Sequence, residues 1–242
     1  MTPRALLVSL RDPHDPMAAH ERRCFALRAD LPEAAVDVHP MTEGRPDPGR
    51  VRTYDAVFFG GSGAYSVLDD VPWIRAGLDT VLEVLDLRRP AWASCFGFQG
   101  LSLALGGEVV RDDARQELGA VALALTPAGE ADPLVSVLPR AFWGQEGHHD
   151  HVDRLPDGVT LLATGQQIPN QAFRVDGAPF YASQFHPELT SASTIERFVH
   201  YQSLYQAPGS DAEVILATLR AGEDTPEMAQ LLARLVRGQY AT

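Results

Sequence analysis

The stretch Pro90–Gly100, PAWASCFGFQG, constrains the fold more than any other part of the chain. Apolar residues enter it, Cys95 stands at its centre, and a helix-like apolar pattern leaves it before Gly106. This order predicts a strand, a sharp turn and a helix, with a nucleophile at the turn. Residues two positions either side of the turn must be small because backbone crosses backbone there. Ala93 and Gly97 meet that requirement.

Cys95 has two interpretations on its own. The turn would lift its thiol above a sheet edge, and the N-terminus of the following helix would favour the thiolate. However, most cysteines are buried and inert. The choice between a nucleophile and a core residue therefore depends on what the rest of the chain supplies.

Composition and charge exclude several classes of partner. The 242 residues are 45% hydrophobic, and 32 acidic against 20 basic residues give a net charge of −12. Without a basic cluster to neutralise phosphates, nucleic acid is not an expected partner. Two cysteines without a C-x-x-C pair predict neither a disulfide framework nor a thiolate zinc site. The first apolar run, Ala5–Leu10, is too short for a signal sequence or a membrane span, which predicts a cytoplasmic protein with no membrane partner.

Short apolar runs alternate with helical patterns in the first hundred residues. The predicted elements are a strand over Ala5–Leu10, a helix over Met17–Leu31, a strand over Ala34–His39, a loop over Pro40–Gly49, a strand over Tyr54–Phe59 and a helix over Trp73–Leu87. Strands alternating with helices predict an α/β fold with a doubly wound, mainly parallel sheet.

After the helix that follows Cys95, strands and helices alternate less regularly. Antiparallel strands added at a sheet edge would account for this change. The predicted strands are Glu108–Val110, Ala120–Leu125, Val159–Ala163 and a hairpin of Gln171–Val175 with Phe180–Phe185, and the predicted helices are Thr194–Tyr205, Asp211–Ala221 and Thr225–Arg237. Thr225 is predicted to cap the last helix. We expect one domain over residues 1–205 and a helical C-terminal extension over residues 206–242.

A cysteine nucleophile needs a base, and the base needs an acceptor that orients it. His186 stands at the end of an apolar strand and is followed by Pro187 and Glu188. Pro187 restrains the backbone there, and strand ends on one edge of a parallel sheet are where such folds place sites. The spacing thus allows Cys95, His186 and Glu188 to meet, although it is equally that of a surface turn.

Small residues also follow the third predicted strand, at Gly60–Gly63. Their backbone N–H groups, with that of Phe96, would form an oxyanion hole, in which one donor contributes on the order of 3 kcal/mol to lowering the barrier. A phosphate-binding loop is the weaker alternative, because the P-loop lysine and the Rossmann spacing are absent. A plain tight turn without a functional role is the third interpretation of this segment.

Four segments together resemble the class I glutamine amidotransferases of the Cys-His-Glu triad type. Cys95–Gln99 is similar to that family's Cys-x-Gly-x-Gln, and Ser183–Glu188 to its Gln-Phe-His-Pro-Glu signature. Gly60–Val67 resembles its oxyanion strand, and Glu117–Gly119 stands where it carries a Glu-x-Gly turn beside the glutamine pocket. The resemblance covers about residues 5 to 200 and implies a flavodoxin-like fold.

The resemblance implies glutamine as the substrate and assigns a role to each matching residue. Cys95 attacks the side-chain amide, His186 carries the proton to the departing ammonia, and Glu188 orients His186. The remaining roles are the oxyanion donors Gly61 and Phe96 and the glutamine-binding residues Gln99, Glu117 and Gly119. No cofactor and no metal are implied.

Within the family, the chain looks most like the stand-alone, GMP-synthase-like group. Asn170–Arg174 and Gly147–Asp150 carry this likeness. The chain has no Gly-rich ATP loop, so any acceptor of the ammonia is expected to be a separate synthetase chain. Two alternatives stay open: a γ-glutamyl hydrolase acting on γ-glutamyl amides, and a catalytically silent binding or regulatory homologue.

Some segments depart from the family pattern or lie outside it. Ala93 and Gly63 stand where the family usually has Gly and Pro. The segment His148–Asp153 contains three histidines and two aspartates, and its alternatives are a metal site, a pocket wall formed by His149 or Asp150, and a solvated loop. The apolar face of the C-terminal extension either packs on its own domain or forms a contact between copies of the chain, as in a homodimer.

Overall fold

A computed structural model describes residues 2–12, 14–202 and 212–240. Its strands are β1 (Ala5–Ser9), β2 (Val36–Pro40), β3 (Ala56–Phe59), β4 (Ala91–Ser94), β5 (Glu108–Arg111), β6 (Glu117–Leu125), β7 (Ala141–His148), β8 (Asp150–Arg154), β9 (Val159–Gly165), β10 (Ala172–Val175) and β11 (Phe180–Ser183). Nine of them form one sheet in the order β2-β1-β3-β4-β11-β10-β9-β6-β7, and β5 pairs with β8.

The large sheet is parallel in one half and antiparallel in the other. Strands β2, β1, β3, β4 and β11 run parallel to one another, and β10, β9, β6 and β7 continue the sheet from β11 in antiparallel pairs. This confirms the predicted fold class. Because β3, β4 and β11 are adjacent, Gly60, Cys95 and Gln184 each leave a strand at the same sheet edge.

The α-helices cover both faces of this sheet or pack at its edge. They are α1 (Pro16–Arg28), α2 (Pro48–Val51), α3 (Pro72–Asp86), α4 (Phe96–Ala104), α5 (Pro127–Ala131), α6 (Ser191–His200), α7 (Ala212–Ala221) and α8 (Leu231–Val236). The segment predicted as a loop, Pro40–Gly49, contains a 3-10 turn and the start of α2. Asp47 caps that helix by accepting from the Arg50 N–H at 2.8 Å, and Pro48 occupies its first position. Residues 203–205 of the predicted helix Thr194–Tyr205 and Asp211 of the predicted helix Asp211–Ala221 lie outside the described residues.

Strands β7 and β8 are absent from the sequence prediction. Along β7 the buried positions are mostly polar, including Gln145, Glu146 and His148, so the segment shows no alternation of apolar residues. The register places His148 opposite Glu117 of β6. A solvated loop over His148–Asp153 is therefore wrong, because these residues form strands and most are buried.

The C-terminal extension shares the core of the rest of the chain. Leu216 and Leu219 of α7 pack against Phe198 of α6. The apolar side chains of α8 join the core cluster that contains Phe25 and Trp92. The structure therefore supports packing of this apolar face on its own domain, and a homodimer stays a prediction.

Thr225 has a different role from the one predicted. It makes no capping hydrogen bond, and a 3-10 turn over Pro226–Gln230 precedes α8. The Thr225 hydroxyl instead accepts from the Trp143 N–H at 2.8 Å and donates to the Trp143 carbonyl at 3.2 Å. This pair of bonds ties the extension to the edge strand β7.

The substitution Leu232→Ala tests whether α8 belongs to the core. Leu232 is fully buried, so we expect the free energy of unfolding to fall by about 2–5 kcal/mol. Leu27→Ala is the matched control, because Leu27 is 76% exposed and should change stability by less than about 0.5 kcal/mol. Urea unfolding measures both, and equal effects would contradict this packing.

Candidate active site

Cys95 occupies the sharp turn between β4 and α4. Its φ of +49° and ψ of −102° lie in a sparsely populated region that costs a non-glycine residue on the order of 1–3 kcal/mol. The strain is held by backbone hydrogen bonds: the Cys95 N–H donates to Ser183 at 2.8 Å, and its carbonyl accepts from the Gln99 N–H at 2.9 Å. A Cβ at Gly97 would lie 2.8 Å from the Cβ of Phe59 and 3.1 Å from that of Ala93. The need for small residues around the turn is thus met, and Ala93 fits.

The Cys95 thiol is buried, with 5% of the residue exposed. Burial raises the pKa of the thiol, and the negative charges of Glu146 and Glu188 raise it further. The Phe96 N–H at the start of α4 lowers this pKa, but by less. The Phe96 N–H thus favours the thiolate, as expected, but burial opposes it more strongly. A thiol in such surroundings needs a base to take its proton.

His186 and Glu188 lie in the arrangement expected of a base and the acceptor that orients it. The His186 Nδ1 lies 2.6 Å from the Glu188 Oε1, which places the proton on Nδ1 and leaves Nε2 as the basic nitrogen. The Ser94 hydroxyl donates to the other carboxylate oxygen of Glu188 at 3.0 Å. Because Ser94 directly precedes Cys95, this hydrogen bond joins the sharp turn at Cys95 to the turn that contains His186 and Glu188. Arg197 of α6 lies 3.6 Å from the Glu188 carboxylate.

The charges around this pair set its protonation. Burial raises the pKa of Glu188, but the charge and hydrogen bond of His186 and the charge of Arg197 outweigh it and lower the pKa to about 2. Burial also lowers the pKa of His186 below its ordinary value; Glu188 opposes that shift, and Arg197 adds to it. At neutral pH Glu188 is ionised and His186 is a neutral base.

The backbone N–H of Gly61 has a partner other than the one predicted. It donates to the buried Glu21 carboxylate at 3.1 Å, so in this structure it is not available as an oxyanion donor. Glu21 also pairs with Arg11 at 3.1 Å and with Arg197 at 3.7 Å. The oxyanion role of Gly61 stays a prediction, and Phe96 is the predicted donor that directly follows Cys95.

The oxyanion strand passes closely over two aromatic rings. A Cβ at Gly61 would lie 2.9 Å from the His186 Cε1, and one at Gly63 would lie 2.4 Å from the Tyr201 ring. A Pro at position 63, which the family usually has, would collide with the Tyr201 ring. The glycine at this position therefore leaves room for the Tyr201 side chain, which also accepts a hydrogen bond from Arg11 at 2.7 Å.

A cavity of about 180 Å³ opens at Cys95, and we refer to it as the thiol cavity. Phe96, Gln99, the oxyanion strand and residues 147–150 line it. The Gln99 amide donates to the Asp150 carbonyl at 2.7 Å, which fixes this wall. Of the alternatives for the histidine-rich segment, the pocket wall is therefore confirmed for His149 and Asp150.

Glu117 and Gly119 lie behind this wall and do not line the thiol cavity. The Glu117 Oε2 is 3.2 Å from the His148 Nε2 and accepts from the Gln171 amide at 2.9 Å. Glu117 thus bonds to the wall residue His148 and to Gln171, and its part in binding glutamine stays a prediction.

Three buried side chains stand close enough to share an ion. Among the described residues, Glu117, Glu146 and His148 are the one group of metal-ligand type, with one potential ligand atom of each within 4.8 Å of the others. The hydrogen bond between His148 and Glu117 already accounts for two members, so we assign no metal to them. The absence of a metal and of a cofactor stays a prediction.

Ser94, Glu21 and Arg197 are site residues that the sequence interpretation missed. Ser94 directly precedes Cys95, and a hydroxyl at that position is a sequence signal that could have identified it as a site residue. Glu21 on α1 and Arg197 on α6 are far apart in the chain, and no local pattern connects them. Their buried pairing becomes visible only in the fold.

A family model described as glutamine amidotransferase class-I matches residues 33–201, more than half of the chain. The chain therefore belongs to the class I glutamine amidotransferase family. This confirms the resemblance seen in the sequence motifs.

Curated relatives carry GMP synthase names. The chain is 31% identical to the glutamine-hydrolyzing GMP synthase of Thermosipho africanus, over 60% of this chain and 27% of that protein. It is 30% identical to a glutamine-hydrolyzing GMP synthase subunit of Methanocaldococcus jannaschii, over 51% of this chain and 63% of that relative. A solved glutamine amidotransferase from Thermotoga maritima has the same fold, with a TM-score of 0.73, 20% identity and full coverage of both chains. No helix in the described residues has the length and apolar character needed to cross a bilayer.

The substitution Gly61→Ala tests the close approach of the oxyanion strand to His186. The added methyl group would push the ring away from its position, so any hydrolysis of glutamine at this site should fall at least tenfold. Gly77→Ala in α3 is the matched control, because its Cβ would meet only Leu10 at 3.6 Å. Glutamate release measures both variants, and an unchanged Gly61→Ala would contradict the geometry.

The pH dependence of kcat/KM tests the protonation of His186. Because the folded pKa is lowered from 6.5, the base stays neutral and active at neutral pH, and activity should be lost on acidification below pH 6.5. Arg197→Met removes a positive charge that lowers this pKa, so the acid limb should move to higher pH. Arg52→Met on the surface is the control and should not move it. A limb that moves to lower pH in Arg197→Met would contradict this assignment.

Proposed function

We propose that the protein hydrolyses the side-chain amide of L-glutamine through a glutamyl thioester on Cys95 and releases ammonia. The observation that carries this proposal is the chain of hydrogen bonds from Ser94 through Glu188 to His186, beside a buried thiol that needs a base. Membership of the class I family and relatives named as glutamine-hydrolyzing support it.

The first half-reaction forms the thioester. His186 Nε2 takes the thiol proton while the Cys95 sulfur attacks the amide carbon, and Glu188 stabilises the imidazolium that forms. The Phe96 N–H faces the oxygen on which negative charge develops. His186 then returns its proton to the amide nitrogen as the C–N bond breaks, which releases ammonia.

The second half-reaction uses water. His186 removes a proton from a water molecule that attacks the thioester carbon, and the same proton returns to the sulfur as glutamate leaves. Every proton is carried by His186, so no cofactor is required. The γ-amide side chain enters the thiol cavity, and Gln99 supports the wall that holds it.

We propose that a separate synthetase chain accepts the ammonia. The relative from Methanocaldococcus jannaschii is named as one subunit of a GMP synthase, and such a name describes a multi-chain arrangement of that protein. A cytoplasmic location is part of the same proposal, because both cysteines are free thiols and Cys95 must stay reduced to react. A homodimer is not part of it, since the apolar face that suggested one is buried.

The substitution Cys95→Ser tests the proposal. Serine keeps the size of the side chain but has no accessible anion, so glutamate and ammonia formation from glutamine should fall at least about a thousandfold. Cys24→Ser is the control, because Cys24 lies on α1 beside His20 and outside the thiol cavity. It should retain the wild-type rate. Equal activity in wild type and Cys95→Ser would contradict the proposal.

A further inference from the structure

Glu21 on α1 is a fully buried carboxylate that does not line the thiol cavity. Its Oε1 accepts hydrogen bonds from the Gly61 N–H and from the Arg11 guanidinium, both at 3.1 Å. Apolar side chains of similar volume often replace buried ion pairs with equal or better stability. Fold stability alone therefore does not account for the charge at this position.

The Glu21 carboxylate packs against the backbone of Gly60, directly after β3. A Cβ at Gly60 would lie 2.6 Å from the carboxylate carbon and from both carboxylate oxygens. At the next residue, a Cβ at Gly61 would lie 2.9 Å from the His186 Cε1. This short piece of backbone is thus in close contact with Glu21 at one residue and with the His186 ring at the next, so the place of the carboxylate limits where the ring can lie.

Charges of alternating sign lead from Arg11 to the same ring. Arg11 lies 3.1 Å from the Glu21 carboxylate, and Arg197 lies 3.7 Å from it. Arg197 also lies 3.6 Å from Glu188, which in turn is 2.6 Å from the His186 Nδ1. The two contacts of Arg197 with carboxylates are too long for hydrogen bonds, so the arginine acts on both through its charge.

We propose that Glu21 is a positioning residue for the reaction at Cys95, which holds the Gly60–Gly61 backbone against the ring of His186 and offsets the charge of Arg197 beside Glu188. This inference rests on the proposed thioester reaction and deepens it. Because Glu21 does not line the thiol cavity, it acts through its neighbours and not on the substrate.

The reaction makes the charge of Glu21 matter. His186 becomes an imidazolium when it takes the thiol proton, and the positive charge of Arg197 opposes a second cation there. The negative charge of Glu21 offsets that opposition. The pKa of His186 shows the same balance, because burial lowers it most, Glu188 raises it, Arg197 lowers it and Glu21 raises it.

Charged side chains face His186 from five parts of the chain. They are Glu188 in its own turn, Arg197 on α6, Glu21 on α1, Arg11 after β1 and Glu146 on β7. Burial and the charge of Glu117 raise the pKa of Glu146 well above its ordinary value, which favours its neutral form. The balance at the ring is therefore set mainly by the other four groups.

Three variants and one control test the inference. Glu21→Gln removes the charge and keeps an oxygen that accepts from the Gly61 N–H, whereas Glu21→Met removes both. Glu21→Gln/Arg197→Met removes one charge of each sign, so it remains usable if a single variant folds poorly. Glu43→Gln is the matched control, because Glu43 is exposed in the 3-10 turn before α2.

NMR titration of the histidine rings, with His186→Gln to identify the signal, measures the pKa of His186 without any turnover. In Glu21→Gln this pKa should fall by about half a unit or more, whereas in Arg197→Met it should rise. The double variant should lie between the two single variants. A purely structural role of Glu21 would lower stability without moving the pKa in these opposite directions.

The kinetics of glutamate release provide the second readout. Glu21→Gln should lower kcat about tenfold with KM within twofold of wild type, because the imidazolium loses support and the substrate cavity is untouched. The acid limb of kcat/KM should move to lower pH together with the pKa of the ring. Glu21→Met should lower kcat further, since the Gly60–Gly61 backbone also loses its hydrogen bond.

Three results would overturn the inference. The first is an unchanged pKa of His186 in Glu21→Gln, and the second is a shift in the same direction in Glu21→Gln and Arg197→Met. The third is a kcat in Glu21→Met that equals or exceeds that of wild type, because the carboxylate would then only withhold the Gly61 N–H.

Failure of the proposed function gives a different result. Glutamate release by wild type together with any of the three results leaves the thioester proposal standing. A wild-type protein that neither releases glutamate nor is labelled at Cys95 by a diazoketone analogue of glutamine, read by mass spectrometry, would reject the proposed function and the positioning role with it.

Discussion

The hydrogen bond between His186 and Glu188 is the interaction on which the rest of the site depends. An ionised carboxylate that is 2% exposed is costly to bury and persists only when donors surround it. Its donors are Ser94 at the end of β4 and His186 in its own turn, and Arg197 of α6 adds a positive charge at 3.6 Å. The carboxylate is therefore stable only when the parallel sheet and α6 are both in place.

The same surroundings set the protonation of Cys95 and His186. Burial raises the pKa of the Cys95 thiol, and the charges of Glu146 and Glu188 add to that shift. Burial also lowers the pKa of His186, so this histidine is available as a neutral base in the proposed reaction. The Glu21 carboxylate adds a second constraint, because it accepts a hydrogen bond from the Gly61 N–H at 3.1 Å.

The sequence predicts the parallel half of the fold because its strands are short apolar runs with helices between them. It also predicts Cys95, His186 and Glu188, since each follows a strand of that half. It does not predict β7 and β8, because their buried positions carry Glu146, His148 and other polar groups in place of apolar residues. The pairing of Glu21 with Arg197 is equally hidden, since it joins two helices distant in the chain.

The central claim is that Cys95 carries a glutamyl thioester during the reaction. Acid quenching of the protein within one turnover of L-glutamine, followed by mass spectrometry of the peptide that contains Cys95, tests it most directly. The account predicts a mass increase of one glutamyl group at Cys95, absent from unreacted protein and removed by hydroxylamine. Glutamate formation at the normal rate with no acyl group on Cys95 at any quench time would contradict it.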